Sequence, residues 1–365
     1  MIKPRKSIQK ILPYRPGKPI EELKEELGLE DICRLSSNEN PLGPPSSAVE
    51  AMRVASLRSA RYPNGDSFDL RNALSSHLGV NTDQLVFGAG ANEVIKLFCL
   101  AYLEPEDEVI LPRPSLGEYA RLATMCGAHC KAIPLNDDFV VDLPSMAAAI
   151  SSKTKMIFIC NPNNPTGTVI EQRGLRQMLN RVGDNILVVL DEAYFDYVDY
   201  PNSPDGVTFL KEFPNVASIR TFSHGYGLAG LRIGYGVAHA SIIYELDKVR
   251  EPYHISSVAQ AAALAALNDK EYFEKSIRYN QVEREYMINR LRTMGLVVLE
   301  SQANFLLVDV KTSAVRIYQS LLKRGVMVRS ADSFGYPTAI RVSIGLREEN
   351  NYFLDALKEC LSQIV

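Results

Sequence analysis

Two segments of this chain carry residue types that could do chemistry, and each directly follows an apolar run. Asn161-Pro162-Asn163-Asn164-Pro165-Thr166-Gly167 follows Met156–Cys160, and Asp191 follows Ile186–Leu190. An asparagine and proline turn of this kind is, on its own, an ordinary tight loop. A carboxylate at the end of a buried strand is costly unless it is paired. Asp191 therefore either has a cationic partner or caps a helix.

A glycine-containing turn is a candidate for binding an anion. Gly88-Ala89-Gly90-Ala91-Asn92-Glu93 precedes an apolar helical pattern. Glycines at such a turn let backbone N–H groups approach an anion, and the start of the helix adds a favourable partial charge. Without further support the turn is more often structural.

The seven-residue turn resembles the Asn-Pro-x-Asn-Pro-Thr-Gly signature of class I and II aminotransferases, which have fold type I and use pyridoxal 5′-phosphate (PLP). The segment Thr221–Arg232 resembles the part of that family that holds the cofactor. This resemblance implies that Asn164 and Tyr194 bond the ring oxygen and that Asp191 keeps the ring nitrogen protonated. It also implies a phosphate cup of hydroxyls and a guanidinium. The implied cofactor-binding residues are Gly90, Ala91, Asn92, Leu116, Asn164, Asp191, Tyr194, Thr221, Ser223, Arg232 and the partner subunit's Tyr62.

His224 stands where the resembled family has the lysine that forms a Schiff base with PLP. It lies eight residues before Arg232, which is the family's own spacing between lysine and arginine. An imidazole cannot form that imine, although its ordinary pKa near neutrality suits proton transfer. The resemblance thus implies catalytic roles for His224, Asp191 and Tyr194. It also implies a noncovalently held cofactor, either PLP or pyridoxamine 5′-phosphate (PMP).

Four other segments are similar to histidinol-phosphate aminotransferases, and the similarity runs from about residue 10 to residue 360. They are residues 12–19, 35–41, 61–65 and 340–350. The resemblance implies a homodimer that transfers an amino group between histidinol phosphate and 2-oxoglutarate, a step of histidine biosynthesis. Aromatic amino acids and phosphothreonine stay open as substrates. The implied substrate-binding residues are Tyr14, Asn38, Tyr119, Arg341 and Arg347, of which Arg341 would hold the anionic end of the substrate.

The residue expected to cover the cofactor ring departs from the family pattern. Leu116 occupies a position where the family usually has tyrosine or phenylalanine. Leucine can cover a ring by dispersion but lacks the aromatic geometry. Tyr119, one helical turn later, either partly substitutes for it, or simply packs or shapes the substrate end.

Three functions are compatible with a histidine at position 224. The first is a histidinol-phosphate aminotransferase-type enzyme with severely reduced turnover. The second is a PLP- or PMP-dependent enzyme that uses His224 as a base, similar to a small group of sugar dehydratases. The third is a catalytically inactive homologue that binds the cofactor. The histidine is either natural or engineered.

Composition excludes several other classes of function. The chain has 365 residues, a net charge of −3 and 46% hydrophobic residues. This charge predicts no nucleic-acid partner, and no apolar run reaches the length of a membrane span. The six cysteines are scattered, which favours free thiols in the cytoplasm and no metal site.

The elements that must position these residues alternate in the middle of the chain. Near-continuous apolar strands between helices predict an α/β fold with a mostly parallel sheet covered on both faces. The predicted strands are Asp107–Leu111, Met156–Cys160, Ile186–Leu190, Ala217–Arg220 and Ile233–Ala238. The predicted helices are Glu93–Leu103, Leu116–Cys126, Glu171–Val182 and Ser257–Leu267.

The pattern changes after residue 272, where a long charged helix precedes short strands and two helices. The predicted strands are Leu296–Glu300, Ala303–Val310 and Ala339–Ser343, and the predicted helices are Ala314–Arg324 and Glu349–Ser362. We expect a large cofactor-binding domain over residues 46–275. Residues 1–45 are expected to pack with residues 276–365 as a small α+β domain.

Overall fold

A computed structural model of the chain describes residues 2–9, 11–13 and 20–363. Its strands are β1 (Cys33–Arg34), β2 (Leu85–Gly88), β3 (Glu108–Arg113), β4 (His129–Pro134), β5 (Thr154–Cys160), β6 (Leu187–Asp191), β7 (Val216–Thr221), β8 (Gly234–Ala238), β9 (Val297–Val298), β10 (Phe305–Asp309), β11 (Val326–Met327), β12 (Arg329–Ser330) and β13 (Ala339–Ser343). Its α-helices are α1 (Ile20–Leu27), α2 (Ser46–Ser56), α3 (Phe68–Leu78), α4 (Ala91–Tyr102), α5 (Gly117–Cys126), α6 (Leu143–Ala148), α7 (Gln172–Leu179), α8 (Gly206–Phe209), α9 (Ala240–Val249), α10 (Ser257–Asn268), α11 (Lys270–Thr293), α12 (Ala314–Leu322) and α13 (Arg347–Ser362).

A seven-stranded sheet forms the centre of the larger part, in the order β2-β8-β7-β6-β5-β3-β4. The strands from β7 to β4 run parallel, and β8 is antiparallel to both of its neighbours. Every residue of β6 and β7 is buried, because helices cover both faces of the sheet. The predicted mostly parallel sheet is therefore confirmed.

Two strands of this sheet were not predicted from the sequence. Strand β2 has only four residues, and β4 lies at the edge of the sheet with its side chains largely exposed. Neither shows the long apolar run that marks the central strands. The five predicted strands are present, with ends that differ by one or two residues.

A second, antiparallel sheet has the order β12-β13-β10-β9. It packs with α12 and α13 around an apolar cluster that includes Leu321 and Phe353. Near the start of the chain, β1 pairs in parallel with β11, so the N-terminal segment contacts this C-terminal unit. Helix α11 is continuous across residue 275. The domain limits at residues 45 and 275 stay a prediction.

The fold brings the ends of the central strands together with the beginning of α4. In parallel sheets, the carboxyl ends of the strands are where ligands bind. Gly234 of β8 allows α4 to start close to the sheet, since a Cβ there would lie 2.7 Å from the backbone nitrogen of Ala91. None of the described helices is long and apolar enough to span a bilayer.

Candidate active site

A cavity of about 220 Å³ lies where β5, β6 and β7 end, beside the first turn of α4. His224 lines this cavity. So do all the predicted cofactor-binding residues except Gly90 and Tyr62. The cavity is lined by Ser37, Ala91, Asn92, Leu116, Cys160, Asn164, Asp191, Ala193, Tyr194, Thr221, Ser223, His224, Ala229 and Arg232. Segments more than a hundred residues apart in sequence thus form one site.

Asp191 ends β6 and is almost fully buried, with 2% of its surface exposed. Its Oδ2 accepts a hydrogen bond from the Tyr119 hydroxyl at 2.6 Å, and its Oδ1 accepts one from the Ala193 backbone N–H at 3.1 Å. Burial raises the pKa of Asp191, and both hydrogen bonds act in the opposite direction. Among the residues that the structure describes, no cation pairs with this carboxylate.

Tyr194 and Asn164 line the cavity, and Arg341, which does not itself line it, is hydrogen-bonded to Asn164. The Tyr194 hydroxyl accepts hydrogen bonds from Asn38 Nδ2 at 3.0 Å and from Asn164 Nδ2 at 3.2 Å. Arg341 Nη1 donates to Asn164 Oδ1 at 2.8 Å, which sets the orientation of that amide. Burial raises the pKa of Tyr194 to about 12, so its hydroxyl stays protonated and can donate to a ligand.

Arg341 is buried, and no carboxylate among the described residues balances its charge. Its Nη2 donates to the backbone carbonyl of Ser36 at 2.6 Å, and its Nε has no hydrogen-bond partner in the same part of the chain. Within the described ranges no acidic side chain forms an ion pair with this guanidinium. Burial lowers the pKa of Arg341. A buried cation with a free donor is well suited to receive an anion.

The hydroxyls of Thr221 and Ser223 lie 2.9 Å apart, and Arg232 Nη1 is 3.5 Å from the Ser223 hydroxyl. Arg232 adopts a left-handed conformation with a φ of 53°. Gly90 precedes α4 with a φ of 82°, and a Cβ there would overlap the Arg232 guanidinium. Gly90 is thus required for the guanidinium to reach the start of the helix, although it does not line the cavity.

His224 lies flat against Tyr194, with ring centroids 4.5 Å apart and an interplanar angle of 20°. Its Nδ1 is 2.8 Å from the backbone carbonyl oxygen of Asn38. Burial lowers the pKa of His224 to about 4, and the positive charges of Arg341 and Arg232 act in the same direction. The Asn38 carbonyl opposes this shift only in part. The imidazole is therefore neutral at physiological pH.

This environment predicts an unusual titration of His224. In two-bond nitrogen–proton NMR spectra of the histidine-labelled chain, we expect a protonated Nδ1 and a bare Nε2. We expect no change of these signals between pH 5.5 and pH 8, since protonation is displaced to about pH 4. His224→Asn assigns the signal by its loss. A midpoint near pH 6.5 would show that burial does not control this ring.

Of the alternatives for Tyr119 the structure agrees with simple packing, and the side chain does not line the cavity as the ring-covering and substrate-binding predictions required. It is fully buried, stacks on Phe158 at a centroid distance of 4.8 Å and donates its hydroxyl to Asp191. The apolar face of α5 carries it into the core behind the carboxylate, outside the cavity. Leu116, at the start of that helix, lines the cavity instead.

Arg347 is also outside the cavity, contrary to the prediction of substrate binding. It donates hydrogen bonds to both carboxylate oxygens of Glu283, at distances of 2.7 to 3.0 Å, and its guanidinium lies over the Tyr286 ring. These contacts join α13 to α11.

Tyr62 is 84% exposed and stacks on Tyr253. Tyr14 lies outside the described residues.

Some residues that hold the site together were not identified from the sequence. Asn304 Nδ2 donates to the same Asn38 carbonyl that bonds His224, at 2.8 Å. No local pattern around Asn304 signals this contact. Cys160, by contrast, lines the cavity at the end of β5 immediately before the asparagine and proline turn, so its position could have been deduced from that turn.

Comparisons with known proteins agree with this architecture. Residues 30–357 match the family model described as aminotransferase class I and II. The chain is 44% identical to a histidinol-phosphate aminotransferase of Moorella thermoacetica, over 98% of this chain and 93% of that protein. It is 40% identical to the protein of the same name from Bacillus subtilis strain 168, over 98% and 99%.

Solved structures of aminotransferases have the same fold. A histidinol-phosphate aminotransferase from Sinorhizobium meliloti, in complex with PLP, superposes with a TM-score of 0.90 at 27% identity, over 99% of this chain and 98% of that one. The enzyme from Clostridium acetobutylicum gives a TM-score of 0.84 at 27% identity, over 90% and 99%. The predicted fold type I architecture is confirmed.

Proposed function

Because the chain belongs to the class I and II aminotransferases, we propose that its cavity binds PLP or PMP without a covalent bond. We propose further that the scaffold is that of a histidinol-phosphate aminotransferase. One observation carries the proposal. A single cavity holds a buried carboxylate without a cationic partner among the described residues, together with a cluster of hydrogen-bond donors that suit a phosphate. A protonated pyridine ring that bears a phosphate supplies the partner for each.

The residues present fit this group. The Thr221 and Ser223 hydroxyls and the Arg232 guanidinium offer charge-assisted hydrogen bonds to a phosphate. The first turn of α4 adds the N–H groups of Ala91 and Asn92, which have no partner inside the helix. The missing side chain of Gly90 leaves the room that the Arg232 guanidinium occupies at the start of this helix.

The other residues orient the ring and the substrate. The bound cofactor supplies an electron-withdrawing ring next to the reacting carbon of the substrate. Asp191 would hold the proton on the ring nitrogen, and Tyr194 and Asn164 would donate to the ring oxygen. Leu116 would cover the ring by dispersion. Arg341 receives the anionic end of the substrate, which explains a buried guanidinium with a free Nε donor.

His224 limits what the scaffold can do. It occupies the position of the family's lysine and has no amine that could attach to the cofactor aldehyde. With a pKa of about 4 it is also a weak base, and a general base is most effective when its pKa is near the working pH. We therefore expect very low transamination by the chain as it stands. The same low pKa disfavours a dehydratase-like use of His224 as a base.

The proposal also covers the substrates of the protein, its oligomeric state and its cellular compartment. Histidinol phosphate follows from the name that the relatives bear, and 2-oxoglutarate is the acceptor that the sequence resemblance implies. A homodimer gives the exposed Tyr62 a role at the partner's cofactor phosphate, and the cytoplasm is the compartment of such a biosynthetic step. Aromatic amino acids and phosphothreonine are to be compared as alternative substrates.

Cofactor titration tests this function. We expect PLP to bind, and pyridoxal, which lacks the phosphate, to bind at least about tenfold more weakly because it loses charge-assisted hydrogen bonds. After borohydride reduction and denaturation, the protein mass should be unchanged. A mass increase of one cofactor would show that another lysine attaches it. If neither PLP nor PMP binds, the proposed function is wrong.

A further inference from the structure

The geometry of His224 points to one form of the cofactor. Resting on the proposed cofactor site, we propose that His224 selects the amine-bearing form, PMP, over the aldehyde-bearing form, PLP. The selection arises because the His224 imidazole is held in one tautomer. In that tautomer the nitrogen that faces the ligand carries no hydrogen and can only accept a hydrogen bond.

The hydrogen bond from Nδ1 determines the tautomer. Its partner at 2.8 Å is the backbone carbonyl oxygen of Asn38, which can only accept. Nδ1 must therefore carry the hydrogen. When the imidazole is neutral, Nε2 then has none, and at pH 8 the ring is neutral even at its ordinary pKa.

The carbonyl that imposes this tautomer is itself held in place. Asn38 is buried in the left-handed conformation, with a φ of 57°. Its side chain donates to the Tyr194 hydroxyl and accepts from the Ser343 hydroxyl at 3.1 Å. Its carbonyl also accepts from Asn304 Nδ2. The oxygen cannot turn away from His224 without breaking several buried hydrogen bonds.

Nε2 is left for the ligand. His224 lines the cavity, and its Nε2 has no hydrogen-bond partner among the residues that the structure describes. Stacking on the Tyr194 ring restricts rotation of the imidazole, so Nε2 keeps its position. A ligand group beside Nε2 must therefore bring a hydrogen of its own.

The two cofactor forms differ in one substituent of the ring, which is an aminomethyl group in PMP and an aldehyde in PLP. The amine of PMP can donate to Nε2, whereas the aldehyde oxygen of PLP would set one lone pair against another. Protonating Nε2 to accommodate the aldehyde is opposed by burial and by the nearby Arg341 and Arg232. A buried acceptor left without a donor weakens binding by about tenfold or more.

Binding to the unaltered chain at pH 8 tests the proposal directly. Affinities are measured by fluorescence for PMP, PLP and 4′-deoxypyridoxine 5′-phosphate, which has a methyl group in place of the amine or aldehyde. We expect PMP to bind at least about tenfold more tightly than either of the others. Tight binding of PLP only as its hydrate, whose hydroxyls can donate, supports the proposal. PLP that binds as tightly as PMP with its aldehyde absorbance retained overturns it.

Two variants separate selection at His224 from general cofactor affinity. His224→Leu removes the acceptor and should bring the PMP to PLP affinity ratio close to one. Ser223→Ala, the matched control, should weaken both ligands and leave the ratio unchanged, because it alters only the phosphate contacts. An unchanged ratio in His224→Leu contradicts the proposal. Failure of all three ligands to bind the unaltered chain would instead disprove the cofactor site.

Discussion

His224→Lys is expected to raise the transamination of histidinol phosphate with 2-oxoglutarate by about 10²–10⁴-fold or more. This is the range that a positioned acid or base contributes, and covalent attachment of the cofactor adds to it. The surroundings favour a reactive amine. The burial and the Arg341 and Arg232 charges that lower the pKa of the imidazole would also lower the pKa of an ammonium group. A larger fraction of the lysine would then be unprotonated near neutral pH.

The measurement is 2-oxoglutarate-dependent turnover, together with the protein mass after borohydride reduction. His224→Met is the matched control, because it has a side chain of similar length without an amine. It should show neither turnover nor attached cofactor. If His224→Lys attaches the cofactor but does not turn over histidinol phosphate, the substrate is wrong. Phenylalanine and phosphothreonine are then the next donors to compare.

The positions that could be predicted from the sequence are those tied to strand ends. Asp191 and Thr221 each close a buried parallel strand, and Asn164 lies in the turn after another. Because the carboxyl ends of parallel strands meet at one edge, their convergence follows from local patterns alone. The spacing from His224 to Arg232 is similarly local, and both residues line the cavity.

The contacts that could not be predicted join distant parts of the chain. Tyr119 lies 72 residues from Asp191, and nothing in its helix distinguishes a tyrosine that reaches a carboxylate from one that faces a ligand. Arg347 is held by Glu283 of another helix, and the sequence around Arg347 does not reveal this contact. The carbonyl of Asn38 depends on a left-handed backbone conformation and on Ser343. Each is set by tertiary packing that no periodicity encodes.

Asp191→Asn is expected to weaken PMP binding on the order of 30-fold or more. The variant keeps the shape of the side chain but removes the charge that would balance a protonated ring nitrogen. Loss of one member of a buried, hydrogen-bonded charge pair typically costs about 2–5 kcal/mol. Ligand fluorescence gives the affinity, and the absorbance of the bound ring gives the pKa of its nitrogen, which should fall in the variant.

Two further variants show whether the charge itself is responsible. Tyr119→Phe removes one hydrogen bond from the carboxylate and keeps its charge, so we expect a smaller loss than in Asp191→Asn. Asp205→Asn changes an aspartate that pairs with Arg220 and does not line the cavity, so it should leave PMP affinity unchanged. If Asp191→Asn binds PMP within about threefold of the unaltered chain, the carboxylate does not pair with the ring nitrogen. Its burial would then have to be explained by Tyr119 and Ala193 alone, whose hydrogen bonds only partly offset the cost of burying a charge.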